Sequence, residues 1–381
     1  MKIGITCYPT YGGSGVVATE LGIELAKRGH EIHFITYSQP IRLTNDHPNI
    51  HFHEVTVSTY PLFQYPPYDL ALATRMAEVA DVYALDLLHV HYAIPHSISA
   101  FLAREMLAKA RNGSRRRLPF VTTLHGTDIT LVGQDRSYLP VTRFSIDESD
   151  GVTAISHYLE QRTVAEFDVK RPIDVIHNFV NCEIYRRPDD WRELRREYAA
   201  ADESLLIHLS NFRPVKRIQE VIEIFDRIAK QRPARLLMIG DGPERARAEW
   251  SANSKGIRDR VCFMGKQDEV YKLLGLADLM LLPSELESFG LASLEAMACE
   301  TPSIATTAGG VPELVEHGVT GMLTAVGDTE LMTRYALELL ADEPRLRQMG
   351  KLARAAAKER FSAARIVEQY ERCYARVVAG A

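Results

Sequence analysis

A chain of 381 residues is too long for one ordinary domain and suits two. Its 46% hydrophobic and 25% charged residues have the balance of a soluble globular protein, and no apolar stretch approaches the length that spans a bilayer. A net charge of −5 is too mild, and of the wrong sign, for a nucleic-acid binder.

Met1-Lys2-Ile3-Gly4-Ile5 runs directly into a strand without a leader, so a cytoplasmic location is expected. Short apolar runs then alternate with helical stretches. In the first half, strands are expected over 2–7, 31–36, 50–55, 87–91, 120–124, 151–154 and 173–176, with helices over 15–28, 68–83 and 97–110 among them. After a polar break at 177–188, strands are expected over 205–209, 235–239, 260–263, 279–282 and 303–305. Helices over 217–230, 243–253, 270–276 and 291–298 intervene. Such alternation specifies parallel sheets covered on both faces, here twice, and two doubly wound domains facing a cleft. Three final helical runs, 328–340, 344–359 and 363–377, have no strand between them. The last has no strand to follow it and is expected to cross the domain junction. The basic loop 111–117 reads as a solvated connector, with a membrane-surface role as the alternative.

Five cysteines, odd in number, scattered and without CxxC, read as reduced thiols. The histidines show no zinc spacing. His89 and His91 alternate on one strand face, which suits either strand-end packing or half a metal site.

The segment SELESFGLASLEAMA is the most informative. Its apolar run predicts a helix with Ser288-Phe289-Gly290 as the opening turn. Unpaired N–H groups and the positive end of the macrodipole make a helix mouth a seat for phosphate. Glu287 precedes the helix and Glu295 lies about two turns into it. Carboxylates are poor phosphate ligands but good acceptors for sugar and ribose hydroxyls, so this pattern suits a nucleotide-sugar. Solvated N-terminal charges are the plain alternative.

Gly12-Gly13-Ser14-Gly15 opens the first helix. Gly13 to Ala18 satisfies the dinucleotide fingerprint, but the loop before it is long and the second strand ends Thr36-Tyr37 without a ribose-binding acid. The glycines instead suit close backbone approach and positive φ beside a bound group. Ser210-Asn211-Phe212-Arg213-Pro214-Val215-Lys216-Arg217 follows a strand at the ligand-binding edge, where Arg213 and Lys216 can neutralise a diphosphate. His125-Gly126-Thr127-Asp128 ends another strand. There His125 can meet a sugar hydroxyl or the reacting centre, and Asp128 can orient it. Gly240-Asp241-Gly242-Pro243 is a strand-to-helix turn that brings backbone near a nucleotide.

In this order, GGSG, HGTD, SNFRPVKR, GDGPE and ESFGLASLEAMA resemble the retaining GT-B glycosyltransferases that carry the E-x7-E motif. Their motifs span nearly the whole chain. The stretches GITCYPTYGGSGVVATELG, HEIHFIT, HPNIHFHEV, YPPYDLALA, HYAIPH, VTTLHGTDITLVG and MGKQDEVY are similar to those of N-acetyl-α-D-glucosaminyl L-malate synthases. Those enzymes begin bacillithiol biosynthesis. The resemblance implies UDP-GlcNAc and L-malate as partners, no cofactor, no metal, no stable membrane association, and leaves a homo-oligomer open.

It also implies roles. Arg213 and Lys216 would hold the diphosphate, with backbone N–H groups at Gly13, Phe289 and Gly290. Glu295 would take the ribose and Glu287 the donor sugar, while Asn211, Gly240 and Leu291 complete the donor site. His125 would stand at the reacting face. Ser14, Tyr92, Thr123 and Arg143 would receive malate, a dianion that needs fixed positive charge and donors. The implied domains are 1–177 for the acceptor, 178–360 for the nucleotide-sugar, and a helix over 361–381 that returns to the first. Two positions depart from the pattern: Glu300 and Arg217 stand where glycine is usual. Alternatives are a transferase to a lipid or inositol phosphate, an NAD-dependent oxidoreductase, and a non-catalytic nucleotide-sugar-binding protein.

Overall fold

The computed structural model describes residues 1–10, 12–43, 47–58, 61–62, 64–109, 117–130 and 133–380. Most of the basic loop at 111–117 lies outside them. The chain divides into two compact units, Met1–His177 with Ala364–Ala381, and Asn178–Ala363.

The first unit holds strands β1 (Lys2–Thr6), β2 (Glu31–Thr36), β3 (Ile50–Glu54), β4 (Leu87–His91), β5 (Phe120–Leu124), β6 (Gly151–Ala154) and β7 (Ile173–Val175). They form one parallel sheet in the order β3-β2-β1-β4-β5-β6-β7. Every residue of β4 and β5 is buried, as expected of strands covered on both faces. The second unit holds β8 (Ser204–Leu209), β9 (Ala234–Ile239), β10 (Val261–Gly265), β11 (Leu279–Leu282), β12 (Ser303–Thr306) and β13 (Gly321–Thr324), also all parallel, in the order β10-β9-β8-β11-β12-β13.

Helices bury one face on each sheet. The helix Ile218–Ala229 presents Ile218, Val221, Ile222, Phe225 and Ile228 to a core with Leu206, Leu236 and Met238. Strand β13 is absent from the sequence expectation. Gly-Met-Leu-Thr holds only two large apolar residues and no β-branched aliphatic one, so it does not register as a strand; pairing with β12 is what makes it one.

The C-terminal helix Ala363–Ala379 belongs largely to the first unit. It buries Ile366, Val367, Tyr370 and Tyr374. Arg28 pairs with Glu371 at 2.7 Å, and the buried Tyr374 hydroxyl meets His89 Nδ1 at 2.7 Å.

In both sheets the chain builds outward from one strand and then returns to its other side. The reversal falls between β1 and β4, and between β8 and β11. The crevice beyond the carboxyl ends of such strands is where open α/β sheets bind ligands. The GGSG segment follows β1 and Tyr92 follows β4; Ser210–Arg217 follows β8 and Ser284–Gly290 follows β11.

Candidate active site

In the second unit, β8 ends in a loop fixed by a relay. His208 Nδ1 donates to the Leu281 carbonyl at 2.8 Å, which leaves Nε2 to accept from Ser210 Oγ at 2.8 Å. Ser210 Oγ in turn accepts from the Phe212 N–H at 3.2 Å. Burial pushes the His208 imidazole down to about 4, so it stays neutral near pH 7. Gly240 has φ 116°, and a Cβ there would run into the Ser210 carbonyl. This glycine therefore lets the loop after β9 close on the loop after β8, sealed by the Glu244 N–H to Phe212 carbonyl bond of 3.0 Å. Asn211 leaves its Oδ1 buried without a hydrogen-bond partner among the described residues. Arg213 is exposed and makes no ion pair among them.

Pro214–Lys216 is a short 3-10 turn that turns Lys216 toward Glu287. Lys216 Nζ lies 2.5 Å from Glu287 Oε1, and Ser284 Oγ donates to the same oxygen at 2.9 Å. Among the described residues Oε2 accepts no bond. The group expected at the diphosphate and the group expected at the donor sugar are thus one charge-assisted pair. Gly290, at φ 96°, caps the helix Leu291–Ala298. Glu295 is only the fifth residue of that helix, just over one turn in rather than two, because the Ser288–Gly290 turn stays outside it. Its carboxylate is buried, and its Oε1 accepts from the Tyr185 hydroxyl at 2.7 Å. The Phe289 side chain is core, packed against Phe361 at 5.5 Å, so only its backbone can serve a ligand. Leu291 is the first helical residue and half-buried.

Arg217 and Glu300, the two departures from glycine, have φ 51° and 61°. The left-handed backbone is retained with side chains in place. Arg217 there pairs with Glu220 and, at 3.3 Å, with Glu285.

In the first unit, Gly13 opens the helix Gly13–Lys27. None of the GGSG glycines has positive φ, contrary to one of the two reasons expected for them. Close approach is the reason instead: a Cβ on Gly15 would meet the Tyr8 and Thr10 carbonyls. Ser14 Oγ accepts from the Tyr92 hydroxyl at 2.8 Å, and the Tyr92 ring lies 5.4 Å from that of His125. His125 Nε2 meets His91 Nδ1 at 2.7 Å. Burial pushes the His125 imidazole down to about 3, with His96 a secondary cause, so it is neutral at pH 7. Asp128 does not bond the His125 ring in the manner expected. Its carboxylate accepts from the backbone N–H groups of Ala93 at 2.9 Å and Gly126 at 3.0 Å, tying the loops after β4 and β5 together. Burial raises it to about 6, partly offset by those N–H bonds.

Thr123 is fully buried, with its hydroxyl bonded to His89 Nε2 and Thr153 Oγ1, each at 2.7 Å. Arg143 joins none of these groups; its guanidinium bonds Asp168 at 3.0 Å on the surface. The first unit thus gathers Ser14, Tyr92 and His125, supports them on Thr123 and His89, and sets Arg143 apart. Sequence reasoning missed Tyr185, Ser284, His208 and His91, which hold the expected residues. Only the alternation of His89 and His91 was a signal for any of them.

Both units match models of known families. Residues 11–184 match Glycosyltransferase Family 4 and residues 190–356 match Glycosyl transferases group 1. Among solved structures, sucrose-phosphate synthase (tll1590) from Thermosynechococcus elongatus is similar with a TM-score of 0.81 at 22% identity, covering 100% of both chains. Anabaena Alr3699/HepE in complex with UDP-glucose is similar with a TM-score of 0.81 at 23% identity, again over 100% of both chains. At these identities the likeness carries the fold, GT-B. The N-acetyl-alpha-D-glucosaminyl L-malate synthase of Bacillus anthracis is 52% identical over 375 residues, 98% of this chain and 96% of that protein. The chain belongs to the family of glycosyltransferases that includes this synthase.

Proposed function

We propose that the chain transfers N-acetylglucosamine from UDP-GlcNAc to the hydroxyl of L-malate with retention at the anomeric carbon, the first step of bacillithiol biosynthesis. The 52% identity to the Bacillus anthracis synthase over almost the full chain carries the substrate pair. The second unit has the chemistry for the donor. The mouth of the helix Leu291–Ala298, Lys216 and the exposed Arg213 offer positive potential to a diphosphate. Glu287 Oε2 and Glu295 offer acceptors to hydroxyls of the sugar and the ribose.

In the transfer the bond from the anomeric carbon to the UDP oxygen breaks as the malate hydroxyl oxygen bonds the same face. The hydroxyl proton passes to the leaving phosphate. Charge grows on that phosphate in the transition state, so Lys216 and Arg213 bind the transition state more tightly than the ground state. Glu287 holds Lys216 in place while its other oxygen takes the sugar. Neutral His125, fixed by His91, is a hydrogen-bonding group at the reacting face rather than a cation. Ser14 and Tyr92 offer hydroxyls to malate, and Arg143 turns from Asp168 to a malate carboxylate.

The test is UDP release from UDP-GlcNAc with and without acceptor. Release that depends on L-malate, with an α-configured product, is the expected result. Release with inositol phosphate or a lipid acceptor but not with malate overturns the reading. Arg143→Ala should raise the malate KM far more than the UDP-GlcNAc KM; equal effects remove Arg143 from the acceptor site.

A further inference from the structure

The sheet of the first unit carries a second group of polar rings, on β2 and β3. Glu31 and His33 are two residues apart on β2, so they share a face. In the parallel register His33 lies beside His51 of β3, and His53 follows on the same face. Glu31, His33 and His51 lie in the amino-terminal halves of β2 and β3, whereas Tyr92 and His125 follow the carboxyl ends of β4 and β5.

The ligand atoms converge. His33 Nε2 is 3.0 Å and His51 Nε2 is 3.8 Å from Glu31 Oε1, and all three lie within 4.8 Å of one another. Donors held at ordinary zinc distances in a tetrahedron stand about 3.3 Å apart, so these spacings bracket what a metal demands with little movement. His33 Nδ1 lies 2.9 Å from His53 Nε2. With the proton on His33 Nδ1, His53 accepts it and the His33 Nε2 lone pair faces Glu31. That is the outer-sphere arrangement that orients ligating imidazoles. Tyr83 packs its ring on His33 at 4.6 Å and on His53 at 5.0 Å, holding the imidazoles in place. Lys2 meets the other oxygen of Glu31, at 3.3 Å, and leaves Oε1 to the site. The His51 side chain is 41% exposed, which opens a path for the ion and for a water as fourth ligand.

We infer that Glu31, His33 and His51 form a site for a divalent transition-metal cation of the zinc type, with His53 as the positioning residue, joining edge strand β3 to β2. Its occupant is structural to this edge and separate from the transfer chemistry.

The test uses the full chain, free of any affinity tag and stripped of metal, titrated with Co²⁺ alone. The expected result is one saturable equivalent with the visible absorption of a four-coordinate cobalt centre, displaced by Zn²⁺. His51→Ala and Glu31→Gln should each abolish that saturation, and His53→Gln should weaken it about ten- to hundredfold. Zn²⁺ should raise the Tm of the parent chain and leave that of Glu31→Gln unchanged. Glu31→Gln keeps the size of the side chain, so it separates a lost ligand from a lost fold. Absence of a saturable equivalent, or unchanged binding in His51→Ala and Glu31→Gln, overturns the site.

Discussion

Lys216 and Glu287 show how much one pair can decide. An ammonium beside a carboxylate in a half-buried setting is held in one geometry and is ready to meet charge that develops on a phosphate. Lys216→Ala should lower kcat/KM about 10²- to 10³-fold, the usual loss for one transition-state donor. Steady-state kinetics on the two carboxylates separate their roles: Glu287→Ala should mainly lower kcat, and Glu295→Ala should mainly raise the donor KM. The reverse pattern would reassign them. Glu300 carries a different kind of information. At φ 61° it stands in the left-handed region, where a side chain costs about 1 kcal/mol or more relative to glycine. Its carboxylate lies 4.0 Å from Arg187, too loose a pair to offset that cost. Glu300→Gly should therefore raise Tm by a few degrees with kcat unchanged, measured by thermal unfolding beside an activity assay. These residues were named from the sequence because their types are chemically specific. Tyr185 and Ser284, which hold the carboxylates, were not, since a tyrosine 110 positions away in the chain gives no local signal.

At the scale of elements, β4 carries two buried imidazoles, His89 and His91, where a strand core would ordinarily be aliphatic, and His96 and His125 lie buried in the segments after β4 and β5. Burial holds His89 and His125 near 3 and His96 near 4, with His91 lower than usual for the same reason. Each has a folded value below its unfolded 6.5, so the unfolded chain binds more protons between those values. Stability is then fully present above pH 6.5 and falls as pH drops, toward about 4 for His96 and about 3 for His89 and His125. Each such histidine contributes up to about 1.4 kcal/mol per pH unit in that window. Asp128 acts oppositely between 3.8 and about 6, because the folded state binds its proton more readily, and it cancels part of the slope. Urea midpoints at pH 5 and pH 7 should differ accordingly, and His89→Gln should shrink the difference. Equal midpoints would show that the cluster is hydrated. Most strands and helices were legible, since their apolar runs and periodicity are local signals. β13 was not, because Gly-Met-Leu-Thr lacks a β-branched aliphatic run and gains strand character only from β12.

Across the whole molecule, the first unit is discontinuous: Ala364–Ala381 returns to residues 1–177, whereas Asn178–Ala363 is one uninterrupted segment. A fragment of residues 178–363 should unfold cooperatively on its own. A fragment of residues 1–177 should not, because it lacks Tyr370 and Tyr374, both fully buried, and leaves His89 Nδ1 without its hydroxyl partner. Adding 364–381 as a separate peptide should restore the transition, followed by circular dichroism. The sequence by itself determined the α/β alternation, the order of the motifs and the residue types at the donor site, because periodicity and spacing are local properties. Strand order, the reversal points that bring loops after β8 and β11 together, the Lys216–Glu287 pair and the buried histidine network were decided only by tertiary structure. Each depends on contacts between segments tens to hundreds of residues apart, and such contacts leave no mark in the spacing of one chain segment.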